Sequence, residues 1–258
     1  AVLDSDKNPG DWLFDGHGED LRSASRLATL GLSHLYFFSK NTRIRSYLSF
    51  MHSGIETTID TFSLASTNPY QQAGEKSEEN KASASVHLTH KFNALNTLDA
   101  GLGFNGYQVH YTDSQFVHGR YVYHTNTDQY LGLLSAFVAL QHRFHPKLNS
   151  SVGIHFQYLT LNNSVAIEPR LSLKWDLSPI SLLSFGIGLH SQMIPMMLYF
   201  TQAEVSEGQY LITNQGLDFM RSLHTVMGYD YLLTEHLRFK SEAYYQYLYD
   251  IPVKKSIP

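Results

Sequence analysis

The run Leu237-Arg-Phe-Lys-Ser-Glu-Ala-Tyr-Tyr-Gln-Tyr-Leu-Tyr249 decides the fold class. Its odd positions are Leu237, Phe239, Ser241, Ala243, Tyr245, Tyr247 and Tyr249, and its even positions are Arg238, Lys240, Glu242, Tyr244, Gln246 and Leu248. Side chains alternate across a strand with period two, so one face is apolar and aromatic while the other is largely charged or polar. Soluble strands average about 5–6 residues. A tilted strand crossing a bilayer needs about 9–11, and this run reaches that length.

The same alternation recurs through the chain. Leu171, Leu173, Trp175 and Leu177 alternate with Arg170, Ser172, Lys174 and Asp176. Comparable stripes run through Leu183–Leu189, Val152–Tyr158, Leu98–Phe104, Leu134–Leu140, Ala28–Phe38, Ile44–Phe50, Ala82–Leu88 and Leu223–Tyr231. About ten strands result, and no sustained helical pattern competes with them. Short turns are read at Ser39–Thr42, Asn93–Asn96, His145–Lys147, Ser178–Pro179 and Thr234–Glu235. Long polar segments, Asp60 to Lys81, Thr112 to Gln129 and Ile194 to Met220, are read as loops, and Asn162–Ser164 is a brief connection. Phe38, Phe92, Phe144, Trp175 and Tyr231 each stand on the apolar parity just before a short turn. Rings repeated at one height make an interfacial belt.

Long antiparallel strands in hydrocarbon must close, because an unpaired backbone group there costs several kcal/mol. The expected fold is therefore all-β: an antiparallel transmembrane β-barrel segment of about ten long strands, a partial barrel with short periplasmic turns and long extracellular loops. Composition agrees. The 258 residues carry 19 basic and 23 acidic side chains, a net charge of −4, which offers no basic field for nucleic acid. Charged residues are only 16%, against about 25% in an average soluble domain. No apolar run is long enough for a transmembrane helix. With no cysteine, disulfide frameworks, thiolate metal sites and a catalytic thiol are excluded.

The run Ile167-Glu-Pro-Arg-Leu-Ser-Leu-Lys-Trp175 resembles the "EPR-L-L-W" strand of Bacteroidetes-type TonB-dependent outer-membrane receptors. Gly186-Ile-Gly-Leu-His-Ser-Gln192, followed by Pro195 and Leu198-Tyr-Phe200, is similar to their "G-G-HSQ…P…YF" strand and loop. Leu223-His224, Gly228-Tyr-Asp230 and Leu237 to Pro252 resemble the next hairpin. The resemblance is best over 167–252 and less specific over 27–160. It implies energised uptake across the outer membrane of a Gram-negative cell. Its implied partners are outer-membrane lipid, a scarce small nutrient, and a TonB complex reached through a plug domain that this chain lacks. No plug, TonB-box segment or terminal barrel strand is recognised, so residues 1–258 are read as a fragment from the middle part of the β-barrel domain, with both ends cut. A complete small barrel (adhesin, passive pore or outer-membrane enzyme) and a soluble all-β ligand binder are the alternatives.

Candidate ligand contacts are the loop aromatics Phe116, Tyr121, Tyr123, Tyr199, Phe200 and Tyr210; ordinary loop packing is the competing reading. Asp4, Asp6 and Asn8 resemble the start of a calcium loop, but Pro9 stands where such a loop needs glycine. His110, His118 and His124 fall in or beside one loop and are a weak metal candidate. Gly101, Gly103, Gly186 and Gly188 lie on the polar parity, where they leave room for a plug or ease curvature. No nucleophile elbow, phosphate loop or zinc-protease motif is present. No cofactor and no catalysis are expected.

Overall fold

The computed structural model describes residues 17–63, 66–206 and 208–253. Among them ten strands form one antiparallel sheet in sequence order: β1 (His17–Ser39), β2 (Thr42–Ser63), β3 (Ser66–Lys91), β4 (Asn96–Val117), β5 (Arg120–His145), β6 (Leu148–Leu159), β7 (Ser164–Ser178), β8 (Ser181–Gln192), β11 (Met220–Thr234) and β12 (Leu237–Tyr249). A one-turn helix, α1 (Met196–Tyr199), and a small hairpin, β9 (Gln202–Ser206) and β10 (Gln209–Ile212), occupy the β8–β11 connection.

The register carries the sequence alternation across every strand pair. One row runs Leu98, Leu140, Val152, Leu171, Ile187, Thr225, Tyr245; another joins Ile44, Leu88, Ala100, Val138 and Ile154. These rows make one continuous apolar face, and its side chains stay largely uncovered: Leu30 is 76% exposed, Leu102 69% and Tyr245 61%. Burial of apolar surface drives soluble folding, so a whole sheet face left open needs another apolar medium against it.

That face ends at two polar rows. Near the short turns, Thr42 Oγ1 lies 2.8 Å from His90 Nδ1, and His142 Nδ1 lies 2.7 Å from Asn96 Oδ1. Toward the long hairpins, four side chains form a ladder across β2–β5. His52 Nδ1 meets Asn80 Oδ1 at 2.9 Å, Asn80 donates to Gln108 Oε1 at 3.4 Å, and Gln108 donates to the Tyr130 hydroxyl at 2.8 Å. Thr42 and His52 are ten positions apart on β2, or about 33 Å of strand at roughly 3.3 Å per residue. A tilt of about 40° reduces this to roughly 25 Å of height, the apolar band of a transmembrane barrel.

Four of the short hairpins share one device. A register shift beside the turn leaves Phe38, Phe144, Leu177 and Leu233 as the unpaired residue. A bulge re-aims the chain locally, and each of these four apolar side chains is 40–64% exposed on the apolar face. The expected belt residues Phe38, Phe92, Phe144, Trp175 and Tyr231 stand at this end of that face. Trp175 and Tyr231 lie two positions deeper than the bulged Leu177 and Leu233. Neighbouring rings make edge contacts, His90 with Phe92 at 4.6 Å and His142 with Phe144 at 4.4 Å.

Two segments read as loops are instead strand. The described residues of Asp60 to Lys81 (60–63 and 66–81) and those of Thr112 to Gln129 belong to the distal parts of paired hairpins, so β2 to β5 run for 22 to 26 residues. Their sequence is polar on both faces and therefore lacks the apolar alternation that marks a strand. The β4–β5 tip turns through His118 (φ 50°) and Gly119 (φ 86°), the two positive angles of a tight hairpin turn.

Candidate ligand-facing end

The long-hairpin end of the polar face carries the hydrophobic core of the described residues. Val109 and Tyr111 of β4, Leu131 of β5, Leu159 of β6 and Ala166 of β7 stand on the polar parity and are at most 4% exposed. The β8–β11 connection folds over them and inserts Ile194, Tyr199, Phe200 and Phe219, each at most 2% exposed. Fully burying a large apolar side chain is worth about 1.5–3 kcal/mol, so four of them hold this strap against the sheet wall. Pro195 opens α1, where a missing N–H costs nothing because the first helical amides have no intrahelical partner. Burial pushes the Tyr199 phenol above its ordinary value.

Polar ties fix the rest of the strap. Arg120 grips Glu204 of β9 with two nitrogens, at 2.6 and 3.0 Å. Gln202 donates to the Asn126 carbonyl at 3.0 Å, and Asn162 donates to the carbonyls of Gln215 and Leu217 at 3.2 and 2.6 Å. The Arg120 hydrogen bonds, helped by the Gly208 amide, hold the Glu204 carboxyl below the usual carboxylate range.

A second polar centre lies on the same face. β7 pairs with β8 only from Arg170 to Ser178, while its pairing with β6 continues to Ser164. The ladder to β8 stops at Pro169, which has no N–H to give. Ser191 of β8 is thereby left without β7. Side chains replace the missing strand: the Ser191 amide donates to Glu168 Oε1 at 2.9 Å, and Gln157 donates to the Ser191 carbonyl at 3.1 Å. Glu168 is 1% exposed and also accepts from Gln157 and Arg170, each at 2.6 Å, with His155 Nδ1 at 2.9 Å. A buried carboxylate needs such saturation. The "Glu-Pro-Arg" run is therefore a device for opening a strand seam and repairing it.

The candidate ligand residues divide in two. Phe116 and Tyr121 come together with Tyr70 at the hairpin tips, with ring centroids 5.4 Å (Tyr70–Phe116) and 5.2 Å (Phe116–Tyr121) apart. Tyr123 and Tyr210 face each other edge-on at 6.3 Å, joining β5 to the strap. Tyr199 and Phe200 are 0% exposed, so they hold the strap down and offer no ring to a ligand. Sequence reading missed Tyr70 and the Glu168 centre. The signal for the latter was a proline inside a strand, preceded by an acid. Gly101 is covered rather than open: a Cβ there would lie 2.3 Å from the Phe137 ring.

Asp4, Asp6 and Asn8 lie outside the described residues. His110, His118 and His124 do not converge; among the described residues no three His, Cys, Asp or Glu side chains are grouped to hold a metal ion.

No protein-family model matches the sequence, and no curated protein matches it. Solved structures match the fold. The copper transporter OprC aligns over 90% of this chain and 40% of its own, with a TM-score of 0.66 and 13% identity. The ferric-catecholate import receptor Fiu from E. coli K12 aligns over 89% of this chain and 36% of its own, with a TM-score of 0.61 and 8% identity. The RagAB peptide importer aligns over 88% and 30%, with a TM-score of 0.60 and 11% identity. The chain thus spans 30–40% of the length of these solved chains. These neighbours are TonB-dependent receptors. The chain has the fold of a section of such a receptor's barrel: an antiparallel wall ten strands wide among the described residues.

Proposed function

We propose that this chain forms part of the wall of an outer-membrane receptor that captures a scarce small nutrient outside the cell. Uptake then draws on energy relayed by TonB through a plug domain contributed by another part of the protein. The observation that carries the reading is the contrast of faces. One face is apolar, uncovered and about 25 Å tall between its polar rows; the other is polar and bears the folded strap at its long-hairpin end. The copper, ferric-catecholate and peptide specificities in the neighbours' names belong to those proteins, and they support transport as the general activity.

β1 and β12 each have one strand neighbour among the described residues. In hydrocarbon such edges are untenable, so the reading includes further strands that close the barrel, with this section taken as the middle part of its domain. The long-hairpin end faces outward from the cell, with Phe116, Tyr121, Tyr123 and Tyr210 as ligand contacts and the belt of Phe38, Phe92, Phe144, Trp175 and Tyr231 at the periplasmic interface. The "Glu-Pro-Arg" strand supports a Bacteroidetes-type receptor. No catalytic step is part of the reading.

The test is nutrient-limited growth of cells carrying the intact gene, compared with cells lacking the gene or lacking TonB. Loss of growth on the same nutrient in both strains is the expected result. Uptake that persists without TonB refutes energised transport.

A further inference from the structure

The polar face has a concavity at its short-turn end, the opposite limit of the wall from the strap. Arg143 of β5, Asn149 of β6 and Lys174 of β7 stand side by side in one row. The next row toward the strap holds Gln141, Ser151 and Ser172. The β3–β4 turn walls the pocket through Ala94 and Leu95, and the Leu95 carbonyl accepts from the Arg143 amide at 2.9 Å. The enclosed space is about 220 Å3. Sites for whole drug-sized ligands run to about 300–1,000 Å3, so this one has room for a polar group and a few atoms behind it.

Two cations and several donors line this space without an acid to balance them. Arg143 spends Nε on Asn149 Oδ1, at 3.0 Å, which leaves both terminal guanidinium nitrogens for another acceptor. Asn149 turns its oxygen to Arg143, so its amide nitrogen keeps two donors. Ser151 and Ser172 add hydroxyls. Among the described residues neither Arg143 nor Lys174 has an acid within ion-pair distance. The neighbouring acids are committed elsewhere. Asp99 accepts from Thr89 at 2.7 Å and from Gln141 at 2.9 Å, and Asp230 is held by Arg238 at 2.6 Å. Asp176 stands two positions past Lys174 toward the turn and takes no part in the lining. Neighbouring strands lie about 4.8 Å apart, so the backbones of Arg143 and Lys174 stand roughly 10 Å apart with Asn149 between them. An anion seated over Asn149 meets both charges, and the planar Arg fork matches two oxygens of one carboxylate or phosphate.

We propose that this pocket binds an oxyanion, a phosphate or carboxylate group, between the Arg143 guanidinium and the Lys174 ammonium. Asn149, Ser151 and Ser172 supply the neutral donors. The site is separate from the tyrosines and Phe116 at the hairpin tips, and it lies on the opposite limit of the wall. It requires the polar face to meet water and does not require energised uptake.

The experiment titrates the intact protein, purified in mild detergent at low salt, with inorganic phosphate, acetate and glycerol 3-phosphate, and reads binding by calorimetry. The unmodified protein should bind phosphate. Arg143→Gln and Lys174→Gln should each weaken that binding at least tenfold, the share of one hydrogen bond to a charged group. Arg43→Gln, which removes a cation from the same face three strands away from β5, should leave it within twofold and separates a built site from a general positive field. Inorganic phosphate binding tighter than the ester assigns the pocket to a free anion; the ester binding tighter assigns it to one group of a larger ligand; both support the site. Heat-modifiable gel mobility reports folding of each variant, and if Arg143→Gln does not fold, Lys174→Gln decides alone. No phosphate binding by the unmodified protein, as when one of its own carboxylates fills the pocket, overturns the proposal. So does equal weakening by Arg43→Gln, or unchanged binding in the folded pocket variants. Uptake that persists without TonB would refute energised transport and leave this binding result standing, so the two failures are distinguishable.

Discussion

Leu102→Arg tests the facing of the wall most directly. Leu102 stands on the apolar face of β4, 69% exposed, in register with Val86 and Ala136. It lies four positions from Leu98, in the Thr42–His90 row, and six from Gln108, in the His52–Asn80 row. At roughly 3.3 Å per residue and a tilt of about 40°, that is about 10 Å and about 15 Å from the two limits, close to the midplane of the hydrocarbon. An arginine facing lipid at that depth costs about 2–4 kcal/mol, or roughly 30- to 700-fold in the folding equilibrium at 1.4 kcal/mol per decade. Ser172→Arg is the matched control: Ser172 is exposed on the polar face of β7, beside Ser151 and Gly186, and should cost under about 1 kcal/mol. The assay is a denaturant titration of the intact protein refolding into lipid vesicles. Equal costs for the two substitutions, or a Leu102→Arg cost below that of the control, would refute the assigned facing.

Glu168→Ala should cost about 2–3 kcal/mol in the same titration, because it strands the Ser191 amide, Gln157 and Arg170 together; Arg170→Ala, which removes one donor from a carboxylate that keeps three, should cost less, and the reverse order would refute the seam repair. Phe200→Ala, at a site with no exposed surface, should cost about 3–5 kcal/mol of local stability, read as faster protease cleavage within 193–219 while the sheet keeps its gel mobility; cleavage no faster than in the unmodified protein would refute the strap's dependence on that ring. The Glu204 carboxyl is held below its reference value of 4.5 by Arg120. A depressed carboxyl pKa adds stability that is complete above the reference value and is lost as pH falls through the depressed one. Amide exchange across 202–212 should therefore show no Glu204-linked rise from neutrality to about pH 5 and should rise only below the reference value, and Glu204→Gln should abolish that acid step.

What the sequence made legible follows from how each part is stabilised. The ten main strands carry apolar residues on one parity within the apolar band; Leu237–Tyr249 coincides with β12, whereas Leu171–Leu177 is only the second half of β7, which begins at Ser164. Above the His52–Tyr130 ladder both faces meet water. Thr57, Thr58, Gln71 and Glu75 then carry no parity, and paired strand looks like loop. Tyr199 and Phe200 were legible as loop aromatics, but their burial depends on Val109, Tyr111 and Leu131, which come from distant strands and lie outside the stripes read from the sequence. The Glu168 centre was visible as a motif without a mechanism. Its partners His155, Gln157 and Ser191 sit on two other strands, and only the register brings them within hydrogen-bonding distance.

The seam between β7 and β8 has a mechanical consequence. Elsewhere, parting neighbouring strands means unzipping consecutive main-chain bonds, a cooperative and costly event. Beyond Pro169 the same two strands are joined by one carboxylate, Glu168 of β7 on the Ser191 amide of β8, with Gln157 of β6 bracing the Ser191 carbonyl, so a single substitution there loosens what would otherwise take a whole row of amides. This height of the wall is its natural line of compliance, and β8 runs from it at Gln192 directly into the strap that packs on the polar face.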